Sequence, residues 1–187
     1  MNKHMVFRAA LTASMVICAP AWAQTTGTTS SGTVTVTGTV PSLCFGGTLT
    51  GGSNIDLGVL IDTSTGLLRT DLPAPTRTLT GAFCSTRSVI SVEATPLLSQ
   101  NATGTPPAGF SRTVNYRAAA SGWTPTSAVF TTGAASNPAA SQNRATAFQS
   151  DITITLDNFL TGGGTGLRLV SDPLYRGAVT VTLSVAD

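Results

Sequence analysis

The stretch "YRGAVTVTLSVAD" occupies residues 175–187. Val179, Val181, Leu183 and Val185 recur at every second position, with Thr and Ser between them. A period of two with one apolar face is the pattern of a half-buried β-strand. The alternation returns along the chain. Ile90, Val92 and Ala94 share one face of 88–95, and Ile152, Ile154 and Leu156 one face of 149–160. Val114 and Tyr116 lie together in 111–118. Shorter strand-like runs fall at 44–50, 55–62, 77–84, 126–132 and 166–170, with a proline-bearing connector at 71–76. No long window carries a helical period, and 138–148 has room for a helical turn at most. Many short strands between frequent turns predict an all-β sandwich or barrel. The loops 99–109 and 133–143, rich in Pro, Gly, Ala, Ser and Asn, are expected on a mobile surface.

The first residues read as an address. Lys3 and Arg8 flank the start of a short apolar run over 9–18, and Ala21-Trp22-Ala23 is an A-x-A cleavage signal. Residues 1–23 are therefore expected to be a signal peptide, and the protein to be exported. Cys18 follows Ile17 rather than a small residue, which disfavours lipidation, and the run is too short to span a bilayer. Lys3 is the only lysine and His4 the only histidine. After cleavage, eight Arg face eight Asp and Glu, so the +2 formal charge belongs to the leader. A neutral chain without a basic stripe has nothing to attract nucleic acid. Cys44 and Cys84 remain as an even pair. In an oxidising compartment such a pair reads as a disulfide, worth roughly 4 kcal/mol in the chain-entropy model. The alternative is two buried thiols.

Catalytic chemistry lacks its parts. "GFSRT" at 109–113 has Thr113 where a nucleophile elbow needs its second glycine, and no histidine is left to act as base. "TGGGTGLR" has no P-loop lysine and reads as a turn. Asp151 and Asp157 share one strand face about 20 Å apart, too far for a glycosidase pair. Asp56 and Asp62 fail likewise. The residues around "DTSTG" at 62–66 lack EF-hand spacing, and no transition-metal set is present. No enzyme, cofactor or metal is expected. Trp123, in "SGWTPT", is either a sugar-stacking platform or an aromatic packed at the base of a loop, and the second is favoured.

At the start of the expected mature chain stands "SGTVTVTGTVPSLC", residues 31–44. Val34, Val36 and Val40 alternate with threonines, Gly38 fills the gap, and "QTTGTTSSG" precedes it as a tether. This too reads as a half-buried strand. Pro41 favours a break before Cys44.

An alternating strand that ends at a cysteine, a second cysteine in "LTGAFCSTRSVISVEATPL", "IDLGVLIDTSTG" between them, and a closing "DPLYRGAVTVTLSV" resemble one family. The chain is similar to chaperone–usher pilus subunits of the archaic type, which share the spore coat protein U domain. Here the penultimate residue is Ala186, where the best-known pilins have a tyrosine. The resemblance implies an incomplete immunoglobulin-like sandwich over 42–187, with a disulfide between its first two strands and its last strand missing. Tyr175, Gly177, Val179, Val181, Leu183 and Val185 would mark the C-terminal strand. Residues 24–41 would be a flexible extension whose Val34, Val36 and Val40 plug a neighbouring subunit, with Gly38 where the receiving groove is narrow. A periplasmic chaperone, an outer-membrane usher and neighbouring subunits would be the partners, and the route would run from periplasm to cell surface. The other reading of the residues is a self-contained secreted β-sandwich that binds carbohydrate or a surface, with 33–40 as its own first strand.

Overall fold

The computed structural model describes residues 32–187. The signal peptide read at 1–23 and the first part of the tether lie outside the described residues. The chain divides between Gly38 and Thr39, and the architecture that follows is that of Thr39–Asp187.

The fold is all-β. Its strands are β1 (Cys44–Phe45), β2 (Thr48–Thr50), β3 (Thr76–Cys84), β4 (Ser88–Ser99), β5 (Phe110–Ser111), β6 (Thr113–Ser121), β7 (Ala128–Thr131), β8 (Ser141–Arg144), β9 (Phe148–Thr161), β10 (Arg168–Leu169) and β11 (Tyr175–Val185). β1 and β2 both pair with β3, β3 with β9, and β9 with β6, all antiparallel. β4 pairs with β11 along nearly its whole length, from Ser88↔Val185 to Ser99↔Tyr175. The two groups meet where Leu97 and Leu98 of β4 pair with Val114 and Thr113 of β6. In chain order these neighbours match A, B, E and D in one layer and C and F in the other, the arrangement of an immunoglobulin-like sandwich. Among the described residues no strand takes the G position beside β11.

The core forms because the period-two faces of the layers meet. Ala82, Tyr116, Ala118, Ala120, Ile152 and Leu156 from the first layer pack with Ile90 and Val92 of β4. Small Ala118 and Ala120 on β6 leave room for the larger side chains opposite. One flank is closed by the 128–144 region. There β7 pairs with β6 and β8 with β4, and Val129 N–H and Val92 N–H donate to the Ala139 and Ala140 carbonyls at 2.9 Å.

Three expected elements come out differently. Segment 55–62 is not a strand; only Ile61 forms an isolated bridge, to Leu68. Its Ile55, Leu57 and Val59 alternate, but periodicity records faces and not partners. The 138–148 region has no helical turn. It holds β8 instead, so the loop read at 133–143 is in part ladder. Residues 32–43 carry no strand, and Val34, Val36 and Val40 are 86%, 90% and 88% exposed, not half-buried. An alternating stretch is able to pair, but a lone strand gains nothing without a neighbour.

Candidate functional site

The flank opposite β7 and β8 is open. β11 is hydrogen-bonded to β4 alone, and no ladder joins β1 or β2 to it among the described residues. Its inward row of Tyr175, Gly177, Val179, Val181, Leu183 and Val185 is only half-buried throughout. On the paired β4, by contrast, Ser88, Ile90 and Val92 are fully buried. An apolar row that stays half in water on an unpaired edge is an exposed template for another strand.

Facing β11 across the opening is the ladderless segment 52–61. Two cavities border this segment. The smaller lies against Gly177, Ala178 and Val179 of β11, the larger meets β11 at Tyr175 alone, and Val181, Leu183 and Val185 border neither. One, of about 180 Å³, is lined by Leu49, Ile55, Leu57, Tyr116, Phe159 and Val179 among others. The second, of about 640 Å³, lies between 54–61 and 169–175. Asn54, Ile55, Leu57 and Leu97 border both, so the two adjoin along this trough-like side of the fold. Its floor is largely the edge of the sandwich core.

The edge strand is held at its irregular point. The ladder between β11 and β4 shifts register between Arg176 and Ala178. The Tyr116 hydroxyl reaches the Thr95 and Ala178 carbonyls there, at 2.8 and 3.0 Å, and shares its one proton between them. Burial pushes this phenol's pKa up to about 12, because phenolate is poorly solvated there. Gly177 sits where a Cβ would lie 2.7 Å from the Thr95 carbonyl oxygen, so only glycine lets β11 approach β4 at the bulge.

At the far end of the trough Asp172 ties two loops together. Burial raises its pKa, but hydrogen bonds donated by the main-chain N–H groups of Ala102, Leu174 and Asn101 and by the Asn101 amide outweigh that. The carboxyl is held well below the usual carboxylate range.

The cysteines read as a disulfide are one. Cys44 and Cys84 are bonded, and they pair directly across β1 and β3. The bridge fixes the two-residue β1, which alone has little to hold it. Trp123 is fully buried, donates Nε1–H to Ser88 Oγ at 3.1 Å, and meets the Phe148 ring edge-on. It packs at the base of a loop and offers no stacking face. The acids considered for catalysis each accept hydrogen bonds in the fold. Asp151 accepts from the Gly81 N–H at 2.8 Å, and Asp157 pairs with Arg117 through two bonds of 2.7 and 2.6 Å. Asp56 and Asp62 each accept main-chain N–H groups two residues on. Among the described residues no three His, Cys, Asp or Glu side chains gather as a metal site.

The trough itself had only a partial signal in the sequence. Both apolar rows were legible, but their juxtaposition depends on topology. Compared with protein-family models, with curated proteins and with solved structures, the chain matches none.

Proposed function

We propose that this protein is a structural subunit of a bacterial surface pilus, fimbria or coat. Its open flank would accept a strand donated by the next subunit. The observation that carries this reading is the trough bordered on one side by the free edge of β11 and on the other by 52–61, a segment outside the named strands. A strand laid there gains main-chain hydrogen bonds from the edge and places alternate side chains in the cavities. A cavity of about 150 Å³ holds a benzene, so the smaller of the two is large enough for an aliphatic side chain. The matching donor is 33–40, where Val34, Val36 and Val40 would enter the trough and Gly38 would pass its narrow point. Until that strand arrives, a periplasmic chaperone would cover the flank, and an outer-membrane usher would exchange it for the neighbour's strand. Adhesion or biofilm support would follow from the fibre.

The test is polymerisation of the full chain exported to a bacterial periplasm. Wild-type protein should give an SDS-resistant ladder on unboiled gels, and the V34D/V36D variant should not. A ladder from that variant would remove the donor assignment.

A second reading, a self-contained β-sandwich that binds carbohydrate or a surface, is favoured by the core. Ile90, Ile152 and Trp123 are fully buried without any donated strand. It requires a monomer that keeps one sharp thermal transition when 24–40 are deleted, and an SDS-resistant ladder counts against it.

A further inference from the structure

Resting on the strand-acceptor reading above, we infer that Arg77 is a positioning residue for strand uptake. It fixes the main chain at 52–54, and thereby sets the wall of the trough that faces β11. The segment after β2 has no ladder to hold it. Arginines take that part. Arg77, on β3, donates Nε–H to the Gly52 carbonyl at 3.0 Å and Nη2–H to the Asn54 carbonyl at 2.7 Å. Its Nη1 donates to the Thr76 carbonyl at 2.9 Å. Arg69 reaches the Val59 carbonyl at 3.3 Å and Arg168 the Thr65 carbonyl at 3.1 Å. Of these three, only Arg77 lines the smaller cavity.

The chemistry asks for arginine. A planar fork spans the carbonyls of two alternate residues, whereas an ammonium is a single point of charge. Arg77 makes no ion pair among the described residues, and its three hydrogen bonds all go to main-chain carbonyls. Gly51 makes room for it: the backbone has φ +82°, and a Cβ there would sit 3.2 Å from Arg77 Cδ. The clamped carbonyls belong to Gly52 and Asn54, and the next residue, Ile55, borders both cavities. The clamp therefore fixes the start of this wall before any strand arrives. Ordering it in advance lowers the entropy that docking must overcome.

The experiment uses the full chain carrying V34D/V36D, which disables its own donor, and a labelled peptide "GTVTVTGTVPS" copied from residues 32–42. Peptide uptake is followed by fluorescence anisotropy, and amide exchange is read over 52–60 and 88–92. R77A should slow uptake at least about tenfold and speed exchange over 52–60, with 88–92 unchanged. R77K, which keeps the stem and the charge but not the fork, should lie closer to R77A than to the parent. It keeps the test decisive if R77A fails to fold. Equal uptake by parent and R77K overturns the role of Arg77 alone. A parent that takes up no peptide overturns the strand-acceptor reading, and this inference with it.

Discussion

The Tyr116 hydroxyl lies 3.0 Å from the Ala178 carbonyl oxygen and so ties the middle of the sandwich to its edge strand, β11. Tyr116 is buried and also reaches Thr95. Tyr116→Phe removes the proton that two carbonyls share and should cost about 1 kcal/mol near neutral pH. The phenol's pKa is raised in the fold, so the native state holds its proton longer than the unfolded chain does. Its contribution is complete below about pH 10 and is lost as pH climbs toward about 12. Tyr175 is also raised, by burial first and then by nearby Asp172, so Tyr116→Phe should lessen this alkaline loss without abolishing it. Urea midpoints measured on both sides of pH 10 check it.

The Cys44–Cys84 bond closes a loop of sequence separation 40. The chain-entropy model assigns such a loop about 4 kcal/mol. A Cys44→Ser/Cys84→Ser variant should lose that much, and the loss should be matched by reducing the wild-type protein. Local effects should centre on β1, which has two residues and pairs only with β3. Denaturant titration with and without reductant reads the first quantity, and amide exchange at 44–45 the second.

Trp123 and Ser88 form a buried donor–acceptor pair at 3.1 Å. Ser88→Ala leaves the indole N–H without a partner and should cost about 1–3 kcal/mol. Trp123→Phe loses the bond and some volume. Ser88→Ala made on top of Trp123→Phe should cost less than Ser88→Ala alone, since no indole N–H remains to be left unpaired. Thermal denaturation of the four proteins completes the cycle, and purely additive losses would contradict the pairing.

Legibility in the sequence followed the physics of each element. β4, β6, β9 and β11 were readable because one face is packed, so selection of apolar residues has period two. β8 was not: "SQNR" lies at the rim, where neither face is buried, and no alternation is needed to pair with β4. Segment 55–62 erred in the opposite sense, with alternating residues that touch the core edge but no adjacent strand. Cys44 and Cys84 were an even pair in an expected export context, and Trp123 was correctly placed in the interior. The trough was only half visible. Val179 and Ile55 are each apolar residues in alternating runs, but that they face each other follows from β11 pairing with β4 and from β2 pairing with β3. Nothing local in either stretch encodes that meeting. The pins on 52–66 were also hidden, since Arg69, Arg77 and Arg168 counted only as charges until their carbonyl partners were known.

Asp172 holds the mouth of the larger cavity by accepting from Asn101, Ala102 and Leu174. Asp172→Asn keeps the shape but replaces one acceptor oxygen by an NH2 donor, which opposes at least one of those N–H groups. The Asn101, Ala102 and Leu174 amides should then exchange faster, while those of Ile90 and Val92 in the core stay slow. Acid should act in the same place. The carboxyl's pKa is depressed in the fold, so its stabilising effect is present above the ordinary carboxylate pKa near 4 and is lost as pH falls toward the lower folded value. Asp62, Asp71 and Asp157 are depressed too, by hydrogen bonds from Ser64, Arg69 and Arg117 respectively, and will add to any global acid unfolding. The local amides separate the contributions. In wild type, protection at Asn101 and Ala102 should persist to lower pH than an ordinary carboxylate would allow. In Asp172→Asn it should be weak at every pH. Protection in the variant equal to wild type would mean that the two loops are held by packing around Leu174 and Tyr175 instead.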